Sequence, residues 1–194
     1  MIKHVIKLVL AAAVVAGFTL QARSAHAAVD AFLVFSDTVG GTPVCKGAST
    51  DVAHPGAIQV ASFDFGIENA LNIGSASSGA GAGKAKFTSF TFNHTLDIAS
   101  SCISTYLAQG KPLTASLYLR KAAGSGTAPD FLVVQFKTVV FASQHLTSST
   151  DAPAEAVTFQ FGSESFKYYA QTPSGQLGAP NTFTWDVVRN INSF

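Results

Sequence analysis

The sequence predicts an all-β domain, mainly antiparallel, built as a barrel or sandwich with one α-helix packed on its side. Three observations lead there. Apolar residues recur at every second position in run after run, the period of a half-buried strand. One stretch alone, residues 97–109, changes to a helical period. Between the runs lie segments rich in Gly, Pro, Ser and Thr, which are turn and loop formers. Many strands, short connections and a single helix describe one compact β-architecture.

Taken in order, the first strand of the domain is residues 31–35. A loop over residues 37–55 follows. Ala61, Phe63, Phe65 and Ile67 then alternate as a strand. Residues 70–83 form a small-residue loop, and Phe90, Phe92 and Leu96 mark the next strand. In residues 97–109, Ile98, Cys102 and Tyr106 recur at i, i+4 and i+8, beside Ala99, Ile103 and Leu107. That is a helical stripe, with Asp97 or Ser100 as the cap and Gly110 and Pro112 as the stop. Cys102 falls on its buried face. Leu113, Ala115, Leu117 and Leu119 face one way in the following strand, and Thr114, Ser116, Tyr118 and Arg120 the other. After a loop over residues 122–129, Leu132, Val134, Phe136, Val140 and Ala142 define a longer strand. Val157, Phe159 and Phe161 start another, whose apolar positions move from odd to even at Phe166 and Tyr168. A phase change beside Gly162 predicts a bulge or bend, which helps a sheet to close. Residues 172–181 read as a loop, and Phe183, Trp185 and Val187 as the last strand.

Residues 1–27 stand apart. Lys3 and Lys7 precede a run of about 13 apolar residues, and Ala25-His26-Ala27 follows. This is the three-part pattern of a secretory signal peptide, with cleavage near Ala27. The run falls short of the ~20 residues a spanning helix needs. The division is therefore a signal peptide over 1–27 and one domain over 28–194, exported to the periplasm or beyond. Removing Lys3, Lys7 and Arg23 leaves 9 basic residues against 11 acidic, a net charge of −2. Neither nucleic acid nor a membrane surface is favoured by such a balance. Two cysteines, Cys45 and Cys102, remain. An even count in an exported chain favours a disulfide over two free thiols. Neither has a Cys or His at zinc-ligand spacing, so no metal is expected.

The stretch "SSGAGAGKAKF" is the most suggestive chemically. A phosphate-binding loop requires G-x-x-x-x-G-K-[S/T] opening a helix. Gly83-Lys84 matches, but Ser78 replaces the first glycine, Ala85 replaces the hydroxyl, and a strand pattern follows. The dinucleotide pattern G-x-G-x-x-G fails at Lys84. No cofactor is therefore expected. No G-x-S-x-G elbow occurs. His94 lies on the apolar face of its strand and reads as a hydrogen-bonded internal histidine. His54, before Pro55, reads as a surface residue or part of a subunit contact. His145 completes the mature histidines. Asp64 and Glu68 flank Gly66 and read as a solvated strand face rather than a catalytic pair. Asn93-His94-Thr95 matches a glycosylation acceptor but falls inside a strand.

Several segments together resemble the Hcp (haemolysin-coregulated protein) family, the tube proteins of type VI secretion systems. In family order they are "IQVASFDFGIE", "SGAGAGKAKFTSFTF", "DIASSCISTYLAQGK", "LTASLYLRKA", "FLVVQFKTVVFASQ", "PAEAVTFQFGSESFKYYAQ" and "FTWDVVRN". The resemblance implies a small β-barrel with a helix on its side. It also implies a structural rather than enzymatic role, in head-to-tail homohexameric rings that stack into a tube and carry effector or tip proteins. It makes Ser75, Ala76, Ser77, Ser78, Gly79, Ala80, Gly81 and Ala82 candidate contact residues between subunits. The signal peptide and the cysteine pair depart from that family's usual cytoplasmic assembly. They leave open an exported binding or adhesion module that no longer forms a tube.

Overall fold

The computed structural model describes residues 29–69, 71–72, 81–82, 84–121, 128–148, 152–172 and 176–194. Residues 1–27, read above as an export signal, lie outside them. The strands are β1 (Val29–Ser36), β2 (Ile58–Gln59), β3 (Ser62–Asp64), β4 (Ile67–Glu68), β5 (Leu71–Asn72), β6 (Gly81–Ala82), β7 (Lys86–Phe87) and β8 (Phe90–Thr95). Helix α1 (Ser100–Gln109) follows, and then β9 (Leu113–Lys121), β10 (Asp130–Thr147), β11 (Ala154–Gln160), β12 (Ser163–Gln171) and β13 (Leu177–Asp186). Nine of these strands form one antiparallel sheet in the order β2-β1-β9-β10-β11-β8-β3, with β12 also on β10 and β13 on β12.

The long strand β10 organises this sheet. Its first half pairs with β9 and β12, and its second half with β11. Between the halves, Thr138 takes a left-handed φ of 52°, and the register against β9 slips between Phe136 and Val139. The extra residue re-aims every later side chain. Val139 and Phe141 are buried, while Val140 is half-buried and Ala142 exposed. The simple alternation that put Val140 and Ala142 inside is thereby overturned. Gly162 sits opposite the bend: its N–H donates to the Lys137 carbonyl at 2.9 Å. A Cβ there would stand 3.0 Å from the Thr138 Cβ. The expected change of phase is thus a corner that parts β11 from β12 and folds the sheet into two facing wings, a β-sandwich. No ladder closes it into a barrel among the described residues. Instead the chain crosses from wing to wing at Val60, whose N–H donates to Ala31, and Ala61, whose N–H donates to Asn93.

Between the wings lies an aromatic core. Phe35, Phe90, Phe92, Phe136 and Phe159 are fully buried. Phe90 stacks on Phe159 with ring centres 4.8 Å apart, and Phe141 meets Phe35 edge-on at 4.8 Å. The other face of β9 is not open to solvent as its polar residues suggested. Ser116 and Arg120 are buried, because residues 37–57 fold back over a second small cluster of Phe32, Val34, Ala57 and Tyr118.

Helix α1 begins at Ser100, later than residue 97. Its N-cap position is Ala99, which makes no side-chain cap bond, so neither Asp97 nor Ser100 occupies it. Asp97 precedes it in an Asx turn, accepting from the Ala99 N–H at 2.8 Å and, with its other oxygen, from the Ala48 N–H at 3.0 Å. Ile98, placed in the helical stripe by spacing, lies before the first turn and is 69% exposed. Ala99 and Ile103 face the core, with Cys102, Tyr106 and Leu107 packed beside them. Gly110 ends the helix at φ 60°, the left-handed cap that glycine adopts without strain. Cys102 is bonded to Cys45, fastening the 37–57 segment to the helix. At the C-terminus, residues 177–181 belong to β13 rather than to a loop. Pro180 fits there because β13 is an edge strand among the described residues.

Candidate functional site

The segment expected to join subunits is reached through two short antiparallel ladders. Beyond β3, Gly66 and Thr88 exchange hydrogen bonds: the Thr88 N–H donates to the Gly66 carbonyl at 2.9 Å, and the Gly66 N–H to Thr88 Oγ1 at 2.7 Å. Ile67 then pairs with Phe87 and Glu68 with Lys86, and further out Leu71 pairs with Ala82 and Asn72 with Gly81. The two ladders nearly share one register and join no strand of the main sheet. Of "SSGAGAGKAKF", Gly81–Ala82 and Lys86–Phe87 are therefore the returning strands of these two ladders. Of the candidate contact residues, Gly81 and Ala82 are in β6; Ser75, Ala76, Ser77, Ser78, Gly79 and Ala80 lie outside the described residues. Small residues suit such ladders because they let two backbones pair without a packed face. Lys84 is exposed, and β7 rather than a helix follows it.

The histidines sort into structural roles. His54 is not a surface residue: it is buried. Its ring is stacked between Phe32 at 4.8 Å and Tyr118 at 4.5 Å, and Nε2 lies 2.9 Å from Asp130 Oδ1. Beside it Arg120 lies over the Phe32 ring and pairs with Asp51. Both carboxylates thus serve to hold residues 37–57 on the sheet. His94 is internal as expected, with Nε2 3.1 Å from Glu155 Oε2. Gln144 Nε2 donates to both Glu155 oxygens at 3.1 Å and to the Ser100 carbonyl at 3.1 Å, tying β10 to the start of the helix. Asp64, Glu68 and His145 are exposed. Asn93 lies within β8 and donates to Ser62 Oγ. No group of three His, Cys, Asp or Glu side chains able to hold a metal occurs among the described residues.

Shallow hollows are lined by scaffold groups. One of about 330 Å³ is bordered by Ala48, Ser49, Gln59, Thr95, Leu96 and Asp97, and Asp97 is already committed to backbone N–H groups. Another of about 260 Å³ includes Val34, Gly40, Pro43, His54 and Tyr118.

Glu164 escaped the reading of the sequence. It faces Phe136 on β10 and Trp185 on β13, is 2% exposed, and its Oε2, like Trp185 Nε1, has no hydrogen-bond partner among the described residues. Burial pushes its carboxyl up to about 7. The signal was the phase: Phe166 and Tyr168 are apolar and even-numbered, which puts Glu164 on their face, although Tyr168 itself is exposed. Asp186 behaves oppositely. The Arg189 N–H and then its guanidinium hold that half-buried carboxyl below its ordinary value.

The family described as "Type VI secretion system effector, Hcp" matches residues 32–168. A solved structure described as a type six secretion system protein superposes with a TM-score of 0.75 at 24% identity, over 86% of this chain and 100% of its own. Hcp1 from Salmonella typhimurium gives 0.66 at 27% identity, over 86% and 99%. A type VI secretion system effector from Yersinia pestis gives 0.62 at 22% identity, over 81% and 99%. No curated protein matches the chain.

Proposed function

We propose that this chain, which belongs to the Hcp family of type VI secretion system proteins, acts as a structural tube component, without catalysis. The single observation that carries the reading is the family match, which runs from within β1 to within β12. In this role the protein assembles head-to-tail into homohexameric rings. The rings stack, with residues 75–82 contacting a neighbour, and the bore carries effector or tip proteins. A cyclic head-to-tail ring repeats one heterologous contact until the rotation closes. Cleavage near Ala27 would release residues 28–194 outside the cytoplasm, and the Cys45–Cys102 bond suits an oxidising compartment.

The test is direct. The full chain, expressed with its N-terminal segment and purified as processed, is expected to elute as a hexamer by light scattering and to show rings in negative stain. A strict monomer at high protein concentration overturns the ring. The disulfide favours one second reading, an exported binding or adhesion module that keeps the fold and no longer assembles. A monomer would support that reading, and rings would exclude it.

A further inference from the structure

Glu164 and Trp185 stand directly opposite one another in the β12–β13 ladder, and directly opposed residues share one face of a sheet. Each brings a buried polar atom without a hydrogen-bond partner among the described residues, Glu164 Oε2 and Trp185 Nε1. A neutral carboxyl can be held this way, but an unpaired buried carboxylate is far more costly. The elements packed against Glu164 offer it no counter-charge. Strand β10 presents Phe136 and β13 presents Trp185. Two residues along β12, Phe166 shares the face by alternation. The charged residues nearby fall on the other face or are engaged elsewhere. Lys137 is opposite Ser163, and its Nζ lies 4.1 Å from the centre of the Phe194 ring. Lys167 and Asp186 alternate to the opposite face, and Arg189 is paired with Asp186 at 2.7 Å. None of the ion pairs among the described residues includes Glu164.

The piece that carries Trp185 can move as a unit. Strand β13 lies at the edge of the sheet and pairs with β12 alone among the described residues. Its end and the turn after it are bonded to each other. The Asp186 N–H donates to the Ile191 carbonyl at 2.9 Å, Thr184 Oγ1 to Asn192 Oδ1 at 2.7 Å, and Arg189 Nε to Asp186 Oδ2 at 2.7 Å. The unit is tied to the body by the ladder with β12, by the Val187 N–H on the Gly162 carbonyl at 2.8 Å, and by Phe194 on Lys137. Opening a sheet edge of this kind takes less free energy than unfolding a core, and the stacked rings of Phe35, Phe90 and Phe159 lie between the wings, outside the unit.

We propose that Glu164 is a proton-operated latch: while protonated it lets the Trp185 end of β13 and the turn after it close on β12, and when it ionises that unit swings away and water reaches the carboxylate. Burial, which pushes the carboxyl up to about 7, brings the change within reach of neutral pH. The direction follows from linkage. In the open form the carboxyl has its ordinary value of 4.5, and in the closed form about 7. Between the two, each pH unit favours the open form by up to about tenfold. The latch lies within one subunit, so it is tested separately from the ring reading.

The chain holds a single tryptophan, so tryptophan emission reads Trp185 alone. On the full chain, purified as processed, emission and amide hydrogen exchange are followed from about pH 5 to about pH 8, with exchange of Leu113–Lys121 as the reference within the same sample. Emission is expected to move to longer wavelength as pH rises. Exchange over residues 177–194 should rise about tenfold or more relative to the reference, with an unchanged far-ultraviolet circular dichroism spectrum. Glu164→Gln, which keeps the neutral shape at every pH, should hold both signals at their acid values. Wild-type exchange that merely keeps pace with the reference would overturn the latch, and so would a transition that persists in Glu164→Gln. An emission shift without added exchange overturns it as well, because the charge would then act on the indole without movement. The wild-type exchange decides the matter even where Glu164→Gln folds poorly.

Discussion

Replacing Glu164 by Gln should change how stability depends on pH, and the structure sets the size of the effect. The carboxyl is buried against Phe136 and Trp185, and its ordinary value of 4.5 is pushed up to about 7. Below 4.5 the group is protonated in folded and unfolded chains alike. Between 4.5 and 7 the unfolded chain releases the proton while the folded chain keeps it. Stability therefore falls as pH rises through that window, and the contribution of the neutral carboxyl is fully lost above 7. A separation of about 2.5 pH units corresponds to about 3 kcal/mol at 1.36 kcal/mol per unit. For a domain of this size that is a fall in melting temperature of roughly 6–12 °C. The assay is thermal melting by circular dichroism from pH 4 to pH 9 on both proteins. His54 and His94 are present in both, so the difference curve isolates Glu164. Gln mimics the neutral carboxyl: the two should melt together near pH 4, and Glu164→Gln should be the more stable above pH 7. Asp186, held down by Arg189, acts in the acid range with the opposite sign and cancels in the difference. Parallel curves with a constant offset would refute the reasoning.

Reducing Cys45–Cys102 releases a 57-residue separation, so Cys102→Ser should lower unfolding free energy by about 4 kcal/mol in denaturant titrations. The native mass should rise by about 2 Da on reduction, from two added hydrogens; an unchanged mass would exclude the bond. Gly162→Ala places a methyl 3.0 Å from Thr138 Cβ and should destabilise by about 1–3 kcal/mol, whereas Thr138→Gly relieves a left-handed threonine and should stabilise by up to about 1 kcal/mol. If both substitutions prove neutral, the corner is not strained as argued. Glu155→Ala strands His94 Nε2 and one donor of Gln144 and should cost about 3 kcal/mol, read as a lower denaturation midpoint; Glu155→Gln should recover part of it.

What was legible in the sequence was whatever a local period encodes. The strands at residues 113–119 and 90–96, the helix ended by Gly110 and the bend beside Gly162 each follow from residues close together in the chain. Even the disulfide was accessible, because an export-signal pattern and an even cysteine count favour it without geometry. The losses have one cause. Alternation tells which residues share a face, but not whether another segment covers the opposite face. Arg120 and Ser116 were read as solvated, yet residues 37–57 lie over them, and the same fold-back took His54 out of solvent and between two rings. Thr138 shows the second limit. A bulge at a β-branched residue carries no composition signal, so Val140 and Ala142 looked inward until the register slip reversed them. Glu164 combines both. Its phase was readable from Phe166 and Tyr168, but an inward carboxylate contradicts the rule that buried charges are paired, so the rule displaced the pattern. Such a contradiction is informative when the pattern wins. Here a lone carboxyl is retained inside at a cost in stability above pH 7, beside a tryptophan N–H that also lacks a partner among the described residues.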